Sequence, residues 1–170
     1  MNILQLFVKY IEKFTIIQGI AIRWLIYPLI FVLNYEIISR YLFNKPTIWA
    51  YDLTYILYGS FFMIGGAFTL LKDKHVKIEY FYTKMKKRYR SLIEILGYLL
   101  FFFPSMTALG YFGVKFTYHS WLIDEKAGSS IFAPTIWPFK AIIPISAIFL
   151  ILIGMTIFLK HCFNFFGREL

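Results

Sequence analysis

Few residues of this sequence could do chemistry from within an apolar segment, and most of them come in pairs. Glu36 and Arg40 are four apart, so on a helix they share a face and can pair. Asp52 opens the next apolar stretch after a short break, where the helix dipole favours a carboxylate. It is within reach of Arg40 across that break. Arg90 and Glu94 repeat the four-residue spacing farther on, while Lys115 and Lys140 lie where long side chains reach an interface. Ionisable residues inside apolar segments usually mark a transport path. Every one of these, however, falls within a few turns of a segment end. None stands at the middle, where a carrier places its substrate. The positions predict hairpin and subunit-contact pairs rather than a translocation site.

The histidines offer a second chemistry, metal or haem ligation. His75 and His161 belong to one side of the segment pattern and His119 to the other, so His119 cannot face either of them across a haem. No CxxC or HxxxH spacing exists to hold a metal. The expectation is no cofactor, no metal and no catalytic residue. Cys162 has no second cysteine to pair with and carries no disulfide framework.

The elements that position these residues are set by composition. Of the 170 residues, 59% are hydrophobic, 22% aromatic and only 16% charged, against about 25% charged in soluble domains. So few charges cannot cover a small water-soluble surface, and lipid must cover much of it. The net charge of +9 is then a matter of membrane topology rather than of nucleic acid, for which no partner role is expected.

Four spans follow from runs long enough to cross a hydrocarbon core of about 30 Å: residues 24–43, 49–71, 91–118 and 137–159. Asn44, Lys45 and Pro46 break the chain between the first two. Pro104 should kink the third, because it removes a backbone donor. Pro138 sits in the first turn of the fourth, where the missing donor costs nothing. Before the spans, residues 1–23 read as an amphipathic helix. Gln5, Lys9, Glu12, Lys13, Gly19 and Arg23 form one stripe, opposite Leu6, Phe7, Tyr10, Ile11, Phe14 and Ile17. Such a helix lies in the membrane interface or against a partner subunit. On the second span, Gly59 and Gly66 share a face with Asp52, a small-residue surface suited to close helix approach.

Orientation follows from counting. The 72–90 loop carries eight basic residues, Lys72, Lys74, Lys77, Lys84, Lys86, Lys87, Arg88 and Arg90, and its middle can lie as a short interfacial helix. The 44–50 hairpin and the 119–137 loop carry one each, Lys45 and Lys126. The positive-inside bias places 72–90 and both termini in the cytoplasm. The expected fold is thus an all-α, multi-pass protein of the bacterial inner membrane, whose basic loop meets anionic phospholipid.

Three runs carry a resemblance. Residues 40–52, Arg40-Tyr41-Leu42-Phe43-Asn44-Lys45-Pro46-Thr47-Ile48-Trp49-Ala50-Tyr51-Asp52, resemble the first periplasmic hairpin of the small, DctQ-like membrane subunit of tripartite ATP-independent periplasmic (TRAP) transporters. Residues 71–79, Leu71-Lys72-Asp73-Lys74-His75-Val76-Lys77-Ile78-Glu79, resemble that family's basic segment after the second span. Residues 137–144, Trp137-Pro138-Phe139-Lys140-Ala141-Ile142-Ile143-Pro144, resemble its start of the fourth. Asp52 departs mildly, since many relatives have Glu there. The resemblance implies a non-catalytic scaffold or stator for a large membrane subunit that moves organic acids with sodium ions, fed by a periplasmic substrate-binding protein. It points to Arg40, Asn44, Trp49 and Asp52 on the periplasmic hairpin and to His75 and Lys77 on the cytoplasmic side. Gly59 and Gly66 are the expected helix contact with the large subunit. Two other classes remain open on the residues alone: a haem-bearing anchor subunit of a redox enzyme, and a free-standing small carrier.

Overall fold

The computed structural model describes residues 3–72, 87–128 and 131–165. Helix α1 (Ile3–Ile22) passes through a tight 3-10 turn, Arg23–Leu25, into α2 (Ile26–Tyr41). After a short loop comes α3 (Ala50–Leu71). Helix α4 (Lys87–Gly97) leads through a wide turn, Tyr98–Phe102, into α5 (Phe103–Leu122). A second loop precedes the short α6 (Trp137–Lys140) and the long α7 (Ile142–Phe165). Among the described residues, four helical runs are long and apolar enough to span a membrane: Leu4–Tyr41, Ala50–Leu71, Tyr89–Leu122 and Trp137–Phe165. Among the described residues there is no strand, only an isolated bridge between Lys126 and Thr135.

Helix α7 is the hub. A third of its apolar window (33%) is buried, against 6–11% for the other three runs, so the rest of the bundle is arranged around it. Its buried line, Ser146, Ala147, Ile153, Gly154 and Thr156, is built mostly of small residues. Gly154 shows why: a Cβ there would lie 2.3 Å from the ring of Phe102, so the aromatic enters only because the side chain is missing. In lipid, where apolar area alone does not drive helices together, such close packing is what holds them. The hydroxyls of Ser146 and Thr156 are satisfied by the carbonyls of Ile143 and Ile153, at 2.8 and 2.7 Å.

The third run widens just before Pro104. The Phe103 amide bonds to the Tyr98 carbonyl five residues back instead of four. Pro104 has no amide to offer Leu100, and the preceding turn takes up the missing bond as a π segment.

Helix α1 does not stop at the first span but continues into it. Its inward line is Val8, Ile11, Thr15 and Gly19, which lies between the polar and apolar stripes read from the sequence. Ile11 shares a buried cluster with Ala67 and Ile153. Gly19 receives the Phe68 side chain so closely that a Cβ would sit 2.3 Å from its ring. Gln18 donates to the Ile64 carbonyl at 2.6 Å, and Lys160 pairs with Glu12 at 2.5 Å. Thus α1 is tied to α3 and α7 of its own chain, while Phe7, Tyr10, Phe14 and Ile17 face outward.

Candidate partner-facing site

The loops after α2 and α5 emerge at the same end of the bundle, because consecutive spans run antiparallel. The first is the 42–49 hairpin. Asn44 turns the chain with a left-handed φ of 52°, a conformation Asn tolerates better than most residues. That turn brings the Lys45 amide to the Ser39 carbonyl at 2.9 Å, and the Ser39 hydroxyl to the Lys45 carbonyl at 2.5 Å.

Glu36 is the centre of this hairpin. One carboxylate oxygen accepts from Arg40 Nε at 2.8 Å and Nη2 at 2.5 Å. The other accepts from the Thr47 amide at 3.1 Å and from the Thr47 hydroxyl. Both oxygens are therefore engaged, which fastens the return strand of the hairpin to the last turns of α2. Arg40 remains half exposed beyond this pair, at 53% of its side chain. The Trp49 ring packs against Tyr35 at 5.6 Å with the planes tilted by 30°, and Trp49 precedes the first turn of α3. Asp52 lies in that first turn and is buried, only 3% exposed.

The second loop, residues 123–136, is closed by backbone bonds from Ala127 to the Pro134 carbonyl (2.9 Å) and from Ile136 to the Glu125 carbonyl (3.0 Å). Lys140 at the end of α6 is buried, 8% exposed. Its ammonium pairs with Glu125 and stands 3.8 Å from the centre of the Phe116 ring. The hydrogen bond from Lys140 holds the Glu125 carboxyl below its ordinary value of 4.5. A cation taken out of water needs such partners, and here a carboxylate and an aromatic face supply them. Next to Lys140, Phe139 packs edge-on against Tyr55 of α3 at 5.1 Å, joining the two loops' helices.

Gly59 and Gly66 lie on the face of α3 that meets this chain's own last span. A Cβ at Gly59 would fall 2.7 Å from the Phe139 ring, and one at Gly66 would meet Leu150 at 3.9 Å. Their small size serves packing inside the subunit. His75 and Lys77 lie outside the described residues. The structure thus gathers Arg40, Asn44, Trp49 and Asp52 at one end, and separates Gly66 from them along α3.

Sequence reasoning overlooked two participants, Thr47 and the Glu125–Lys140 pair. Thr47 is eleven residues from Glu36 and Lys140 fifteen from Glu125, spacings that no helical period reveals. The one available signal was that Lys140 and Glu125 are unlike charges bracketing a single loop. Chemically, these groups brace loops. Among the described residues, no three of His, Cys, Asp and Glu come together as a metal site would require. Large apolar side chains are among what this end presents outward: Leu42, Phe43, Ile131 and Phe132 are exposed, Ile131 to 88%, beside the exposed charges Arg40, Lys45, Asp124 and Lys126.

Comparison with known sequences bears on this end and the spans below it. The family described as tripartite ATP-independent periplasmic transporters, DctQ component, matches residues 29–163. That range runs from within the first span to near the end of the fourth. The chain is also similar to the sialic acid TRAP transporter small permease protein SiaQ of Vibrio cholerae, with 31% identity over 62 residues. The matched stretch is 36% of each chain, so this chain spans little more than a third of that relative's length.

Proposed function

This chain belongs to the DctQ component family of TRAP transporters, a bacterial inner-membrane family of transporter subunits, and from that premise we propose that it is the stator of a two-part permease. In this reading it binds the large membrane subunit and holds that subunit's stationary part in place. Its two termini and the 72–90 loop are cytoplasmic, and the 42–49 and 123–136 loops face the periplasm. There they contribute to docking a substrate-binding protein that delivers an organic acid, which the large subunit carries with sodium ions. The basic loop meets anionic phospholipid, which helps the stator resist being dragged.

The observation that carries this reading is the construction of the hairpin end. Two charge pairs brace its loops, Glu36 with Arg40 and Thr47, and Glu125 with Lys140. Large apolar side chains are left facing outward. A rigid, outward-facing apolar rim suits contact with other proteins; a carrier would keep its charges along a path through the span.

The test is uptake into proteoliposomes holding the large subunit and the binding protein, with and without this chain. Uptake should require this chain, and hairpin variants such as Asp52→Ala should lower the rate without changing which acid is preferred. A changed substrate preference in a hairpin variant would mean that the subunit lines the pathway, and the stator reading would fail.

A further inference from the structure

A groove of about 550 Å³ opens on the side of the bundle between α1, α3, α5 and α7. Its wall includes Arg23, Phe61, Gly65, Thr69, Leu109 and Leu150, and it is apolar except for Arg23, Thr69 and Ser146. The two hydroxyls are turned away into their own helices, Thr69 to the Gly65 carbonyl at 3.2 Å and Ser146 to the Ile143 carbonyl at 2.8 Å. Arg23 is different. Among the described residues it has no acidic partner. We propose that this groove holds one phospholipid, with an acyl chain against α3 and the phosphate on Arg23.

Dimensions support this occupant. Thr69 and Phe61 are eight residues apart, so the groove follows α3 for about 12 Å. One leaflet of hydrocarbon is about 15 Å deep. A groove lined by apolar side chains is filled inside a bilayer, and an acyl chain can follow it over this length.

The charge is placed to match. Gly19 lies against Phe68, three residues from the end of α3. Arg23 comes one turn later, at the start of the 3-10 turn, and lines the groove with Phe61, Gly65 and Thr69, below that end. From there a long side chain snorkels back toward the headgroups. Trp24, 65% exposed, and Tyr27 pack against each other at 5.4 Å, their rings tilted by 37°, beside it. An unpaired guanidinium at this depth is unfavourable. A phosphate gives it two acceptors in the geometry a guanidinium prefers.

The test uses the full chain extracted in mild detergent and analysed by native mass spectrometry. One phospholipid should remain bound. Arg23→Leu should lower its occupancy about tenfold or more, the loss expected for a charged hydrogen-bonding partner. Gly65→Leu should do the same by filling the groove. A Cβ at Gly65 meets nothing within 4 Å, so the larger residue enters open space. Lys9→Leu, an exposed charge elsewhere, should leave occupancy unchanged. In nanodiscs, phosphatidylglycerol and phosphatidylethanolamine should both bind, and diacylglycerol, which lacks the phosphate, should not. A photoreactive phenylalanine analogue in place of Phe62 keeps the test valid should the variants misfold. In the intact assembly it should label lipid. Labelling of the large subunit there, absence of phospholipid on the wild-type chain, or wild-type occupancy in both groove variants would each overturn the assignment.

Discussion

Replacing Gly59 by Leu should destabilise this subunit by itself, before any partner is involved. The new Cβ would sit 2.7 and 2.9 Å from two atoms of the Phe139 ring, closer than real contacts allow, and its outer carbons would claim the space the ring fills. Overpacking of this kind costs typically 1–3 kcal/mol. Moving the ring also disturbs its edge contact with Tyr55 at 5.1 Å, a pair of the sort worth about 0.5–1.5 kcal/mol. Against these stands a gain of roughly 1 kcal/mol in helix propensity on removing a glycine. The net is a loss of about 1–3 kcal/mol. At roughly 2–4 °C per kcal/mol for a chain of this size, the melting temperature should fall by roughly 3–10 °C. Gly66→Leu is the matched control. Its Cβ meets only Leu150, at 3.9 Å, so its effect should stay within about 1 kcal/mol. The assay is thermal unfolding of the isolated subunit in detergent, followed by tryptophan fluorescence. Equal melting of the two variants would refute the packing argument, and an unchanged Gly59→Leu protein that nonetheless loses the large subunit would show that this glycine face contacts the partner.

The hairpin braces give further tests. Glu36→Gln and Arg40→Gln should each loosen the 42–49 hairpin and lower uptake, and the exchanged pair Glu36→Arg with Arg40→Glu should recover part of it; no recovery would remove the pair from the account. Because the Glu125 carboxyl is held below 4.5, its bond to Lys140 contributes stability that is present above about pH 4.5. That contribution is lost as pH falls through the lowered value. Melting of the wild-type chain should therefore drop more steeply on acidification than melting of Glu125→Gln, and parallel curves would refute the coupling. Lys140→Met should lower the melting temperature and Lys140→Arg should preserve it, since only the former loses the cation above the Phe116 ring. Reporter fusions after residue 45 should read as periplasmic and fusions at residue 85 as cytoplasmic; a periplasmic signal at 85 would invert the orientation.

The sequence by itself determined the four spans, because lipid demands long apolar runs whose backbone bonds close within each segment. It also carried the Glu36–Arg40 pair, since four residues bring two side chains together on any helix. What it could not carry was partner choice across distance. Gly59 and Gly66 were legible as a small-residue face, but which helix fills that face depends on how α3 and α7 pack, and Phe139 and Leu150 fill it. Thr47 joins Glu36 only because Asn44 turns the chain with a positive φ. Lys140 reaches Glu125 only because a whole loop closes between them. The same holds for α1. Its polar and apolar stripes were visible, yet its inward line, Val8, Ile11, Thr15 and Gly19, was set by the helices it crosses. Periodicity reports the faces a helix has; only tertiary packing decides which of them is covered, because each covered face is defined by side chains that belong to another segment.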